Sequence, residues 1–298
     1  MKAIRKKAAA KINLGLDVLG KRDDGYHELR MVMETVGICD RLTLTATRAK
    51  GIRLKTNRGF LPRDGRNLAY RAAQLLMEEA GVEDGLYIDL YKKIPVAAGL
   101  AGGSSDAAAV LEGVNELFGL GLSRSELMER GARIGADVPY CVMKGPALAE
   151  GFGEILTPLD PLPECHIVLA KPAARASTAQ VFARFDELAN WAHPDIDGQM
   201  EGLKRGDLKQ VVRCMGNVLE LVTIPMVPEV SALKELMMGC GAAGAMMSGS
   251  GPSVFGIFED PEDAKRAYSR LREAPQAAEV FLTEPYEPGP GTGGEDDD

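Results

Sequence analysis

Pro95-Val96-Ala97-Ala98-Gly99-Leu100-Ala101-Gly102-Gly103-Ser104-Ser105-Asp106 combines glycines, small apolar residues and hydroxyls just ahead of a helical pattern that begins near Ala107. Leu86 to Tyr91, upstream, alternates as a strand does; Ala107, Val110, Leu111, Val114, Leu117 and Phe118, downstream, recur at helical spacing. The order is strand, glycine loop, helix. A helix start carries unpaired N–H groups and about half a positive charge, and glycine lets an anion approach that backbone. The chemistry this predicts is phosphate binding. Ser104 and Ser105 stand where a cap belongs and within reach of a phosphate or its magnesium. A tight, capped turn without function competes on this stretch alone. Ser104 follows Gly103 where G-x-x-x-x-G-K-[ST] needs lysine, and G-x-G-x-x-G also fails, so any phosphate cradle here is of another kind.

Other candidates are scattered. Ala8 to Leu19 alternates as a strand that puts Lys11 and Asn13 on one face with Gly15 and Asp17, a polar site wall. Asp24-Gly25 signals a turn, and Tyr26 and His27 follow at once. Asp137, in Gly135-Ala136-Asp137-Val138-Pro139-Tyr140, sits at or just before a helix start, where an N-cap role competes with a chemical one. Asn67 opens a helix with Leu68, Ala72, Leu75 and Leu76 inside and Gly81 as its stop. A second glycine-rich stretch, Ala242 to Ser253, precedes the strand-like Val254 to Phe258.

These residues need a scaffold of some size. A chain of 298 residues suggests two domains of ordinary dimensions. Three prolines between Thr157 and Glu164 mark the boundary. The N-terminal part reads as sheet-rich, with strands at Leu29–Val36, Arg41–Thr47 and Ile52–Thr56; Ser123-Arg-Ser-Glu126 is a capping-box signature. In the second part, a helix spans Thr178–Leu188, and Leu208, Val211, Val212, Met215, Val218, Leu219 and Val222 form the core stripe of another. Helix and strand runs mixed within each half predict α+β sandwiches rather than a doubly wound sheet.

A net charge of -8 and a pI near 5.2 argue against a nucleic-acid or anionic-membrane surface. The five cysteines are far apart and never paired as C-x-x-C, which predicts buried thiols in a reducing cytoplasm and neither a disulfide framework nor a zinc site. Lys11 and Asn13 interrupt any signal-peptide core, and no apolar run approaches the ~18 residues of a membrane span. A soluble cytoplasmic protein is expected.

Three stretches, Ala9 to Leu14, Pro95 to Ala108 and Ser248 to Ser253, resemble the three motifs of the GHMP kinases, named for galactokinase, homoserine kinase, mevalonate kinase and phosphomevalonate kinase. Asp24-Gly25-Tyr26-His27, Gly135-Ala136-Asp137-Val138-Pro139 and Glu150-Gly151-Phe152-Gly153-Glu154 are most similar to the members that act on a cytidine-diphosphate-linked methylerythritol in non-mevalonate isoprenoid synthesis. The resemblance spans nearly the whole chain and leaves out only the acidic tail. It implies an α+β, two-domain architecture: an N-terminal nucleotide-binding domain over 1–158, a C-terminal α+β sandwich over 159–287, a cleft between them, and an acidic tail over 288–298. It implies phosphorylation of the acceptor's 2-hydroxyl by ATP, with Mg2+ accompanying the nucleotide, by a monomer or homodimer. Pro95 to Ser105 would wrap the ATP phosphates, with Asn67 near the adenine. Lys11 and Asp137 would flank the acceptor hydroxyl, Asn13 would contact the substrate, and Tyr26 and His27 would hold the cytosine. Phe182 would cover the other cytosine face, with Phe185 competing for that role. Ala98 and Ala101 stand where members often carry glycine, which is tolerable where φ is negative; Ser253 replaces a frequent threonine and keeps the hydroxyl.

Overall fold

The first two strands are one long hairpin, β1 (Ala3–Lys21) and β2 (His27–Thr47), turning at Asp24-Gly25 with Gly25 at φ +87°. The computed structural model describes residues 2–286, so the acidic tail expected at 288–298 lies outside the described residues. Leu29–Val36 and Arg41–Thr47, expected as separate strands, are one. Register shifts at Ala9/Ala10, Asn13/Gly15 and Val18/Gly20 let the pair bend without breaking.

Next come β3 (Ile52–Thr56), α1 (Leu68–Glu79), β4 (Gly85–Tyr91), α2 (Gly102–Phe118), α3 (Arg124–Ala132), α4 (Val138–Met143), β5 (Ala147–Gly151) and β6 (Ile155–Pro158). Beyond the proline-rich segment lie β7 (His166–Lys171), α5 (Thr178–Phe185), α6 (Ile196–Arg205), α7 (Leu208–Arg213), β8 (Gly216–Asn217) and α8 (Glu220–Met226). The chain then forms α9 (Glu229–Met238), β9 (Gly244–Met247), β10 (Val254–Phe258), α10 (Pro261–Glu273) and β11 (Glu279–Thr283).

A seven-stranded sheet runs β3-β4-β2-β1-β8, with β5 also on β2 and β6 on β5; a four-stranded sheet runs β11-β7-β10-β9. Helices α1 and α2 bury Ala72, Leu76, Val110 and Val114 against one face of the larger sheet, together with Leu44 and Ile88. The other face brings Ile12, Leu14 and Val36 into one core with Ile167, Leu169 and Phe255 of the smaller sheet. That shared core seats the two halves against each other.

Two expectations fail here. The apolar stripe over 208–222 is not one helix. Gly216 and Asn217 leave it to pair in parallel with Gly15 and Leu16, and the Asn217 amide donates to the Met247 and Gly249 carbonyls at 2.9 and 2.8 Å. Bonding to an open strand edge outweighs local periodicity. Helix α2 begins at Gly102, five residues before Ala107, from a left-handed Ala101 with no side-chain cap. Ser104 and Ser105 therefore lie inside its first turn, and the Ser105 hydroxyl donates to the Ala9 carbonyl at 2.6 Å.

Candidate active site

A cavity of about 550 Å³ opens between the glycine loop, the middle of β1 and the start of α5. Residues 95–104 line it without interruption, and Lys11, Asn13, Asn67, Asp137 and Phe182 all reach its wall. Ser105, Tyr26 and His27 do not. Ser105 is 3% exposed, and its hydroxyl ties α2 to β1 instead of facing the cavity, because the helix starts earlier than its pattern suggests.

Local structure explains the loop. Gly99, at φ +78°, lies so close to the second glycine-rich stretch that a Cβ there would sit 2.1 Å from the Ser248 carbonyl oxygen. The Ser248 hydroxyl donates to the Gly99 carbonyl at 3.0 Å and accepts the Asn13 N–H at 3.3 Å. Ser248 thereby joins the three motif stretches. Ala97 and Ala101 adopt φ +52° and +51°. The condition under which alanine is tolerable, a negative φ, is not met at Ala101: the turn into α2 needs a left-handed residue, and Ala101 bears the strain.

Beneath the loop lies a buried charge cluster. The Lys92 ammonium bonds Asp40, Asp106 at 2.6 Å and the Gly102 carbonyl at 3.2 Å. Asp40 also accepts the backbone N–H groups of Lys93 and Ile94. Burial alone lowers the Lys92 pKa, but Asp106 and Asp40 together raise it above the ordinary lysine value. Burial drives Asp106 well above the usual carboxylate range, with Lys92 opposing it, so two carboxyl groups share one ammonium. Asp106 Oδ1 makes no hydrogen bond among the described residues.

Lys11 is 6% exposed and donates to Asn13 Oδ1 at 2.6 Å, which aims the ammonium along the strand face. Asp137 immediately precedes α4 with helical backbone angles and no side-chain cap bond, so its carboxylate is not spent on capping. Both charges reach the buried Cys141, whose thiol is pushed up first by burial and then by Asp137, with Lys11 opposing. Such a thiol is inert, as expected of a core cysteine.

The aromatic side is arranged differently from expectation. Tyr26 is 61% exposed and leans on Phe152, a cavity-lining ring, with centroids 5.4 Å apart. His27 stacks on Phe182 at 4.6 Å and 25°, and its Nε2 lies 2.6 Å from Asp186 Oδ1. Phe182 lines the cavity, whereas Phe185 is 1% exposed and packs on Trp191 at 4.5 Å. Asn67 caps α1 by accepting the Ala69 N–H at 3.0 Å, and its amide donates to the Pro62 carbonyl at 2.9 Å; both side-chain ends are engaged.

Sequence reasoning missed Lys92, Asp106, Phe152 and Asp186. Phe152 lay within the recognised Glu150–Glu154 pattern without a role. Lys92 stood three residues before Pro95, but nothing local marked its bond to Asp40, 52 residues away. Among the described residues, no cluster of three or more His, Cys, Asp or Glu forms a metal site, and no helix is long and apolar enough to cross a membrane.

The antiparallel and helical layers, the glycine loop at the start of α2 and the Lys11–Asp137 wall match a known class. Residues 67–145 match the family model described as GHMP kinases N terminal domain, and residues 199–277 match GHMP kinases C terminal. The chain belongs to the GHMP kinase family and is a small-molecule kinase. It is 51% identical, over 97% of its own length and all of the relative's, to the 4-diphosphocytidyl-2-C-methyl-D-erythritol kinase of Lachnospira eligens. A solved crystal structure of 4-(cytidine 5'-diphospho)-2C-methyl-D-erythritol kinase, 34% identical, superposes with a TM-score of 0.80 over 95% of this chain and 100% of that one. A homoserine kinase from Cytophaga hutchinsonii superposes at 0.76 over 95% of each chain; at 22% identity this likeness concerns the fold alone.

Proposed function

We propose that the chain transfers the terminal phosphoryl group of ATP to the 2-hydroxyl of 4-diphosphocytidyl-2-C-methyl-D-erythritol, giving the 2-phosphate and ADP, a step in non-mevalonate isoprenoid precursor synthesis. One observation carries the assignment of roles. Lys11 and Asp137, far apart in the chain, line the same cavity as the glycine loop.

Phosphoryl transfer passes through a loose transition state, so the protein's tasks are positioning and charge neutralisation. Backbone N–H groups among residues 96–104 receive the phosphates at the N-terminus of α2, with Pro95 contributing only to the loop's shape. Asp137 accepts the proton of the attacking hydroxyl, and Lys11, oriented by Asn13, balances charge on the transferred group. Asn67 borders the adenine side through its backbone and the loop it pins to Pro62, since its amide is engaged. Phe182, Tyr26 and His27 form the base-binding end, where stacking contributes about 1–3 kcal/mol per base.

Mg2+ accompanying ATP would supply charge neutralisation at the phosphates. Ser104 and Asp106, which line the cavity, would be the side chains that offer it oxygen donors, Asp106 through an Oδ1 without a partner among the described residues. The halves are assigned as 1–158 for the nucleotide and 159–287 for closing the cleft.

A coupled ADP-release assay against the cytidyl acceptor, homoserine and mevalonate tests the reading. Turnover is expected with the first alone, and turnover only with another acceptor would reject it. Asp137→Asn should keep the fold and lower kcat by roughly 10²-fold or more. A wild-type kcat would remove Asp137 from the base role.

A further inference from the structure

Asp186 follows α5 and meets the β1–β2 hairpin 159 residues away in sequence. Its Oδ1 lies 2.6 Å from His27 Nε2, and its Oδ2 accepts the Lys21 ammonium at 2.5 Å. The hydrogen bond from Lys21 and then that from His27 hold its carboxyl below the ordinary range, so it is a carboxylate. A carboxylate only accepts hydrogen bonds, and neutral imidazole donates from one nitrogen and accepts at the other. The proton is therefore placed on Nε2, a tautomer assigned by its partner. Nδ1 is left as a lone-pair acceptor and makes no hydrogen bond among the described residues. Phe182 fixes the plane of the same ring and lines the cavity, which sets the imidazole at the edge of the site.

We infer that Asp186 is a specificity-positioning residue: by keeping the His27 proton on Nε2 it makes Nδ1 an acceptor for the exocyclic amine of a cytosine base. The inference rests on the cytidyl acceptor proposed above. Cytosine presents an amine donor at C4, whereas uracil presents a carbonyl acceptor that an Nδ1 lone pair repels. The opposite tautomer would reverse the preference. Two further ties keep hairpin and α5 segment together: Trp191 Nε1–H donates to the Val18 carbonyl at 3.2 Å, and His193 Nδ1 lies 2.9 Å from Asp17.

The test compares cytidyl and uridyl forms of the acceptor in wild type, Asp186→Ala and Asp186→Glu. Wild type should favour the cytidyl form. Asp186→Ala should lower kcat/KM for that form by roughly 10- to 100-fold through KM, spare the uridyl form and leave the KM of ATP unchanged, so that the preference collapses. Asp186→Glu should restore part of it. Equal loss on both acceptors, as a merely structural role would give, overturns the inference. Nitrogen NMR of the imidazoles supplies a readout that needs no turnover. With three histidines in the chain, His27→Gln identifies the resonance. Unprotonated Nδ1 in wild type and mixed tautomers in Asp186→Ala are expected; protonated Nδ1 in neutral wild-type His27 refutes the idea. A wild type inactive on the cytidyl acceptor would instead reject the functional reading, a separate failure.

Discussion

Glu34 shows what one side chain does to the whole fold. It lies opposite Ile12 in β2, 2% exposed; Oε1 accepts the Thr35 N–H at 2.9 Å and Oε2 has no partner among the described residues. Burial raises its pKa from 4.5 to about 8, against a small opposing effect of that backbone bond. The unfolded chain releases this proton near pH 4.5 and the folded protein holds it to about 8, so over that window the native state binds more protons and stability falls as pH rises. The slope is roughly 1.4 kcal/mol per pH unit at most. Glu34→Gln should flatten the dependence and leave the variant more stable than wild type above about pH 8, read as urea midpoints at several pH values. Unchanged slopes in the variant would assign the titration elsewhere. At this scale the sequence was legible where a local pattern marks the residues, as for Lys11, Asp137 and residues 95–104, which line one cavity. It was silent where a side chain's meaning lies in a distant partner, as for Glu34, Lys92 and Asp186.

At the scale of elements, the glycine loop and α2 carry the clearest prediction. Gly99→Ala combines a forbidden approach to the Ser248 carbonyl with φ +78°, so the loop must shift away from the Ser248–Gly251 backbone. The KM for ATP should rise about 10-fold or more, because the backbone donors no longer converge. An unaltered KM would mean that the phosphates lie elsewhere. Ala101→Gly should do the opposite, relieving left-handed strain for a net gain of roughly 0.5–1 kcal/mol in denaturant unfolding. Strand, loop and helix were readable in order, as were the α3 capping box and the hairpin turn. The boundaries were not. The start of α2 depends on a strained alanine, and the break after α7 depends on β1 offering an unpaired edge to Gly216 and Asn217.

For the whole molecule, the proposed halves share a core and a sheet. Ile12 and Leu14 pack with Ile167 and Phe255, and Tyr286 N–H donates to the Thr35 carbonyl at 2.8 Å. Calorimetry should show one unfolding transition with calorimetric and van't Hoff enthalpies equal; two resolved transitions would mean that the halves fold independently. The mixed order of helix and strand runs foretold the α+β class, but a cut at the proline-rich segment undercounts the contacts that cross it. The two-residue strand β8 shows what that means in practice. It covers β1 at Gly15 and Leu16, just beyond Asn13, and a bare edge there is a template for pairing with another chain. An N-terminal fragment ending near residue 158 would expose that edge together with the apolar face around Ile12, and would associate with itself. Production of this kinase in pieces therefore invites aggregation, and the second half protects the first as well as completing its site.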